Sequence, residues 1–185
     1  MSAALPAVAT LRARTAACHE QVDGAFGRFP LDGADAYRQF LTAHARALPS
    51  AEAALAATSG LPAWRPRTPL LAQDLADLAT PMPPALPLAV KAGAAAWGVL
   101  YVVEGSRLGG AMLARQVGPG LPRRYLDAAF EAGEWRALRA AIDHEAARHD
   151  HDWLADAVAG AEICFALYRQ AADATPSEGF PRSER

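Results

Sequence analysis

Nearly every long stretch of this chain repeats apolar side chains at intervals of three and four, drawn mostly from alanine and leucine, with valine and isoleucine scarce. That spacing places the apolar groups on one stripe of an α-helix, and the shortage of β-branched residues removes the usual material of a pleated sheet. No segment alternates as a half-buried strand does. The expected fold is therefore all-α, a single-domain helical bundle. At 185 residues, 52% of them hydrophobic, the chain can bury one substantial core. The domain is expected over residues 1–173. From residue 174 to 185 the run is too poor in apolar side chains to pack and reads as a flexible tail.

The first helix is predicted from about Leu5 to Phe26, ended by Gly27 and Pro30. A second is predicted from about Ala34 to Ala57, with a kink or break at Pro49, whose ring removes an intrahelical donor. Short helices are expected over Thr68–Leu78 and Pro122–Phe130, and longer ones over Glu134–His149 and Trp153–Ala172. The segment Leu88–Val117 is helical by composition yet carries five glycines.

Charge narrows the partners. With 18 basic and 20 acidic residues, the formal charge of −2 leaves no surplus to neutralise a phosphate backbone, so nucleic acid is not an expected partner. Cys18 and Cys164 are too few for a disulfide framework and each falls on an apolar helical stripe, which suits a reducing compartment. No charged leader runs into an early apolar stretch, and the alanine-rich run at Ala92–Val103 is short and bracketed by Lys91 and Glu104. A cytoplasmic protein that does not span a membrane is expected.

Two segments carry chemistry. On the first helix, Leu11, Thr15, Cys18, Val22 and Phe26 form one stripe, and His19 lies at its edge. Arg12 stands seven residues before His19, two turns or about 10 Å along the axis. An imidazole at such a place is a candidate iron ligand, and a guanidinium two turns away could pair with a porphyrin propionate. Taken alone, a histidine at a helix edge is usually just a partly buried polar group. Cys18 projects about 100° away, toward the packed face, and reads as core.

The second segment is Trp97–Gly110, where Gly105, Gly109 and Gly110 sit inside an otherwise helical pattern. Each costs about 1 kcal/mol relative to alanine. Something must therefore approach the backbone more closely than a Cβ allows. Tyr101, Gly105, Leu108 and Gly109 share one face. A flat ligand fits that face, and so does a second helix packed against a glycine pair. The glycines also weaken the helix locally, which would let it open and close over a bound molecule.

These segments, Leu-Arg-Ala-Arg-Thr-Ala-Ala-Cys-His at 11–19 and Gly-Val-Leu-Tyr-Val-Val-Glu-Gly-Ser-Arg-Leu-Gly-Gly at 98–110, resemble the proximal and distal helices of bacterial heme oxygenases, especially those found with bacterial phytochromes. The likeness extends more loosely over about 9–170, including Tyr-x-x-Phe-Leu-x-x-His-Ala at 37–45. It implies a heme oxygenase-like bundle with heme as substrate and cofactor. His19 would be the proximal iron ligand, with Gly105 and Gly109 the distal floor and Arg12 and Tyr101 at the propionates. Ser106 would take the place where animal-type enzymes carry an aspartate, so that proton delivery relies on water and backbone groups. By the same resemblance Phe165, Arg123, Arg124 and Tyr125 would be candidates for further heme contacts. Heme would be cleaved by O2, with electrons from an external reductase or ferredoxin, to biliverdin, carbon monoxide and ferrous iron, and a bacteriophytochrome could accept the biliverdin.

The residues also bear on other functions. Bundles of this kind also house two metal ions on Glu-x-x-His pairs, and that pattern occurs nowhere in the sequence. The cluster His144, Glu145, His149, His151 and Asp152 contains ligand types, but Arg148 in its middle makes it a solvated charged face. A non-catalytic heme or bilin carrier or sensor on the same fold is the alternative function.

Overall fold

The computed structural model describes residues 6–176. It is built from seven helices: α1 (Ala7–Phe26), α2 (Ala34–Ala56), α3 (Thr68–Asp77), α4 (Ala94–Leu113), α5 (Arg124–Asp127), α6 (Glu134–Ala146) and α7 (His151–Asp173). One 3-10 turn, Ala114–Gln116, follows α4, and there is no strand among the described residues. The all-α architecture read from the apolar spacing is the observed one. Among the described residues no helix is long and apolar enough to cross a membrane.

Helix α7 is the central post, with α1, α2 and α4 all packed against it. The α4–α7 crossing is close because each helix presents a glycine there. A Cβ on Gly98 would collide with the carbonyl of Ala157, and one on Gly160 with the carbonyl of Ala95. Close helix packing is thus the work of Gly98, while the later glycines of α4 face other surroundings. The α1 stripe points inward as its spacing demands: Leu11, Thr15 and Phe26 are buried, and Cys18 and Val22 pack half-buried against the core. Asp143 of α6 accepts the Val8 N–H at 2.9 Å, supplying the acceptor that the start of α1 lacks in its own chain segment.

Several segments differ from the sequence reading. Helix α2 runs through Pro49 without interruption. Beside that turn the segment before α4 docks as a strap: the Leu86 N–H donates to the Arg46 carbonyl at 2.7 Å, and Ser50 Oγ donates to the Leu86 carbonyl at 2.6 Å. The glycine-bearing helix begins only at Ala94, because Gly93 turns the chain with φ +88° and the strap before it is non-helical. The helix expected over Pro122–Phe130 is a single turn, held by the carboxylate of the fully buried Asp74, which accepts the N–H groups of Arg124 (3.2 Å) and Tyr125 (2.9 Å). Thr175, inside the expected tail, is buried, and its carbonyl accepts Arg28 Nη2 at 3.1 Å. The rest of that tail, 177–185, lies outside the described residues, as does the Leu5 start expected for the first helix.

Candidate functional site

His19 stands on the outer edge of α1 with its side chain 61% exposed. Its Nδ1 lies 3.0 Å from Asp23 Oδ2, one turn on, and its ring meets the edge of Phe165 from α7 at 5.8 Å between centroids. A carboxylate at Nδ1 favours the tautomer with its proton there, which leaves the Nε2 lone pair for a metal. Asp23 was not singled out from the sequence, although its i+4 spacing from a histidine was the available signal.

Facing residues come from α4. Tyr101 is half-buried. Burial raises its hydroxyl pKa, while the charges of Arg12 and Arg139 pull it down. The charges of α1 and α6 thus both act on one phenol of α4. Arg139 was not anticipated, because nothing in the spacing of α6 links it to Tyr101.

Past Tyr101 the α4 surface is bare. The Cβ position of Gly105 looks onto the indole of Trp135 at 3.5 Å, and that of Gly109 has nothing within 4 Å. Leu108 and Met112 on the same stretch are 46% and 69% exposed, unusual for large apolar side chains. Gly110 instead faces the backbone of Leu126, whose carbonyl oxygen would stand 3.3 Å from a Cβ placed there. The three glycines expected to share a role therefore divide: Gly110 serves packing, Gly105 lies beside the Trp135 indole, and Gly109 leaves the helix backbone open to a flat group.

Behind this bare surface lies a buried polar network. Ser106 Oγ donates to the Val103 carbonyl at 2.7 Å and accepts from Arg67 Nη2 at 2.6 Å. Arg67, 2% exposed, also donates to the Val103 carbonyl at 2.6 Å, and its guanidinium lies over the Tyr125 ring at 5.1 Å. Glu52 of α2 fixes the backbone before α3 by accepting the N–H groups of Arg67 (2.6 Å) and Thr68 (3.2 Å). One turn along, the buried pair Arg107–Glu104 closes at 2.9 Å, and Arg107 also donates to the carbonyls of Ala128 and Arg65. These two arginines strap the glycine-weakened half of α4 to the loops behind it. Arg67 sits in a proline-bearing loop that composition marks only as a corner, so no sequence signal pointed to it.

Deeper still, His44 is walled by Phe26, Phe40, Tyr125 and Tyr168, and its Nδ1 lies 3.0 Å from the Phe40 carbonyl. Burial lowers its pKa from 6.5 to about 4, against the opposing pull of that carbonyl. Cys164 is likewise sealed in, its thiol pushed up to about 12 by burial.

Other sequence candidates fall elsewhere. Arg123 pairs with Asp127, and Arg124 with Asp74 and Asp77, along a groove of about 440 Å³ that holds neither His19 nor the glycine face. Tyr125 is buried under Arg67. The His144–Asp152 stretch is an ion-paired face in which Glu145 is shared by Arg148 and His149, each at 3.0 Å. No three ligating side chains gather there or elsewhere among the described residues.

The arrangement has the chemistry a heme needs. A free imidazole nitrogen stands on one helix, bare backbone at Gly109 on another, exposed apolar side chains flank it, and the charges of Arg12 and Arg139 act on Tyr101 of the same helix. No family model matches the chain. A heme oxygenase of Xanthomonas campestris pv. campestris (strain 8004) is 39% identical, covering 82% of this chain and 98% of the relative. The crystal structure of the NO- and CO-bound heme oxygenase from Neisseria meningitidis superposes with a TM-score of 0.79 at 25% identity, covering 98% of this chain and 99% of that one. On this likeness in sequence and in fold, the chain belongs to the bacterial heme oxygenases, enzymes that take heme as substrate and cofactor and degrade it to biliverdin.

Proposed function

We propose that heme lies between α1 and α4, with His19 Nε2 as its iron ligand, Gly105 and Gly109 as the distal floor, and Arg12 and Tyr101, joined by Arg139, at the propionates. One observation carries this reading. On α4 the Cβ position of Gly109 has nothing within 4 Å and Leu108 and Met112 stand exposed beside it, so the helix offers bare backbone to a flat group, while His19 on α1, its Nδ1 held by Asp23, keeps Nε2 for a metal.

Heme supplies the iron at which dioxygen is activated with electrons from outside. The chain holds, orients and shields. Asp23 fixes the His19 tautomer and Phe165 braces the ring. A neutral imidazole, unlike a thiolate, does not push electron density toward oxygen–oxygen cleavage. On the distal side Ser106 Oγ, donating to Val103 and accepting from Arg67, keeps one lone pair for a water. No carboxylic acid stands on that floor, since Glu104 is buried against Arg107. Protons would then arrive through water ordered by Ser106 and backbone groups.

We further infer a cytoplasmic setting, a separate reductase or ferredoxin as electron donor, and a bacteriophytochrome as acceptor of the biliverdin. The test is to add hemin to the pure protein and then a ferredoxin system with its reductase in air. Loss of the Soret band with growth of a green product supports the reading. A stable oxygen complex that only releases heme refutes it.

A further inference from the structure

The four meso carbons of heme are nearly equivalent chemically, so the one oxidised is set by how the ring is turned in its own plane. Two exposed arginines at one end are a loose constraint on that angle, because long cationic side chains follow a carboxylate as it moves. A rigid side wall is needed as well, and α6 provides one.

The indole of Trp135 lies over the bare backbone of Gly105, with Cη2 3.5 Å from where a Cβ would stand. It contacts Tyr101 on one side, 6.1 Å between centroids, and Phe130 on the other, 5.6 Å, both tilted by 33°. One turn further, where Gly109 has nothing within 4 Å, the floor is open. The glycine face is thus walled on its Gly105 flank and free beyond. The base of the wall is held firm: Glu134 accepts the Glu131 N–H at 2.7 Å and pairs with Arg65 at 2.8 Å, Leu138 and Ile142 are buried, and Asp143 is bonded to α1. Arg139 follows Trp135 by four residues, so successive turns of one α6 face offer a flat stop and a cation.

We propose that Trp135 is a positioning residue, the side wall that fixes the in-plane angle of heme and thereby which meso carbon is oxidised. This rests on the heme placement proposed above. It acts by shape: an indole in contact with a pyrrole edge excludes the seatings in which a bulkier edge would occupy that flank.

The experiment compares the parent with Trp135→Phe and Trp135→Ala. Seating is read without turnover from the heme-methyl proton resonances of the ferric cyanide complex, and product identity from chromatography of the biliverdin isomers. The parent is expected to give one dominant seating and one dominant isomer. Trp135→Ala should raise a second set of resonances, moving the ratio about 3- to 10-fold toward the second seating, the scale of one lost aromatic contact, with the isomer ratio following. Trp135→Phe should keep the parent pattern. A folded Trp135→Ala protein with the parent's single seating and isomer overturns the proposal. If that variant does not fold, the emission of Trp135, taken as the difference between the parent and Trp135→Phe, decides: it should be quenched by hemin, and its persistence at saturation overturns the proposal. A parent protein that takes up no heme overturns the heme placement itself, and this inference with it.

Discussion

Replacing Gly109 with alanine should make the heme-free protein more stable and its heme complex weaker. The stability term follows from the helix: glycine in a helix interior costs about 1 kcal/mol relative to alanine. At Gly109 nothing offsets a gain of that size, since a Cβ there has no heavy atom within 4 Å and the backbone is already helical. For a domain of this length, about 1 kcal/mol raises Tm by roughly 2–4 °C. The opposite change belongs to the ligand. The same open space is the proposed floor, so a methyl group should push the ring off the backbone and weaken binding, and Gly109→Leu should block it. Gly98 is the control: a Cβ there meets the Ala157 carbonyl, α4 and α7 must part, and Gly98→Ala should destabilise by about 1–3 kcal/mol. Thermal denaturation followed by circular dichroism, with hemin titration of each variant, reads both effects. The reasoning is refuted if Gly109→Ala melts at or below the parent, or if Gly109→Leu binds hemin with near-normal affinity.

Acid should weaken the fold through His44. The unfolded imidazole takes up its proton near 6.5 and the folded one only near 4, so between those values the unfolded state binds more protons and stability falls as the pH drops. The loss approaches about 3 kcal/mol by pH 4 and is absent above neutrality, and in denaturant titrations His44→Gln should flatten that part of the profile. Arg12→Ala and Arg139→Ala should each weaken hemin binding by about three- to tenfold, as suits exposed charges, and leave the ferric absorption bands in place; a displaced Soret band in either would contradict a propionate role. Asp74→Ala should cost about 3 kcal/mol in chemical denaturation, because it strips the acceptors from the N–H groups of Arg124 and Tyr125; a loss within experimental error would refute the clamp.

Much of this was legible in the residues because it is local. Apolar spacing fixes which face of α1 turns inward, and Leu11, Thr15 and Phe26 obey it. Three glycines in a good helix announce a close approach to its backbone, although only the fold separates Gly110, which packs on Leu126, from Gly109, which meets nothing. The misread segments are those where tertiary partners override local preference. Pro49 leaves α2 unbroken. Asp74, distant in sequence, holds α5 to a single turn. Arg67, Glu52, Trp135 and Arg139 matter through neighbours that no periodicity reveals. Asp23 is the exception, since its four-residue spacing from His19 is visible in the sequence itself.

The most direct measurement is the ferric absorption spectrum of the hemin complex of His19→Ala, taken beside turnover supported by a reductase. The account predicts that the parent spectrum is lost, that turnover ceases, and that added imidazole restores a parent-like spectrum by filling the vacated ligand position. An unchanged spectrum and an unchanged rate would contradict it, because the iron would then be held by some other group.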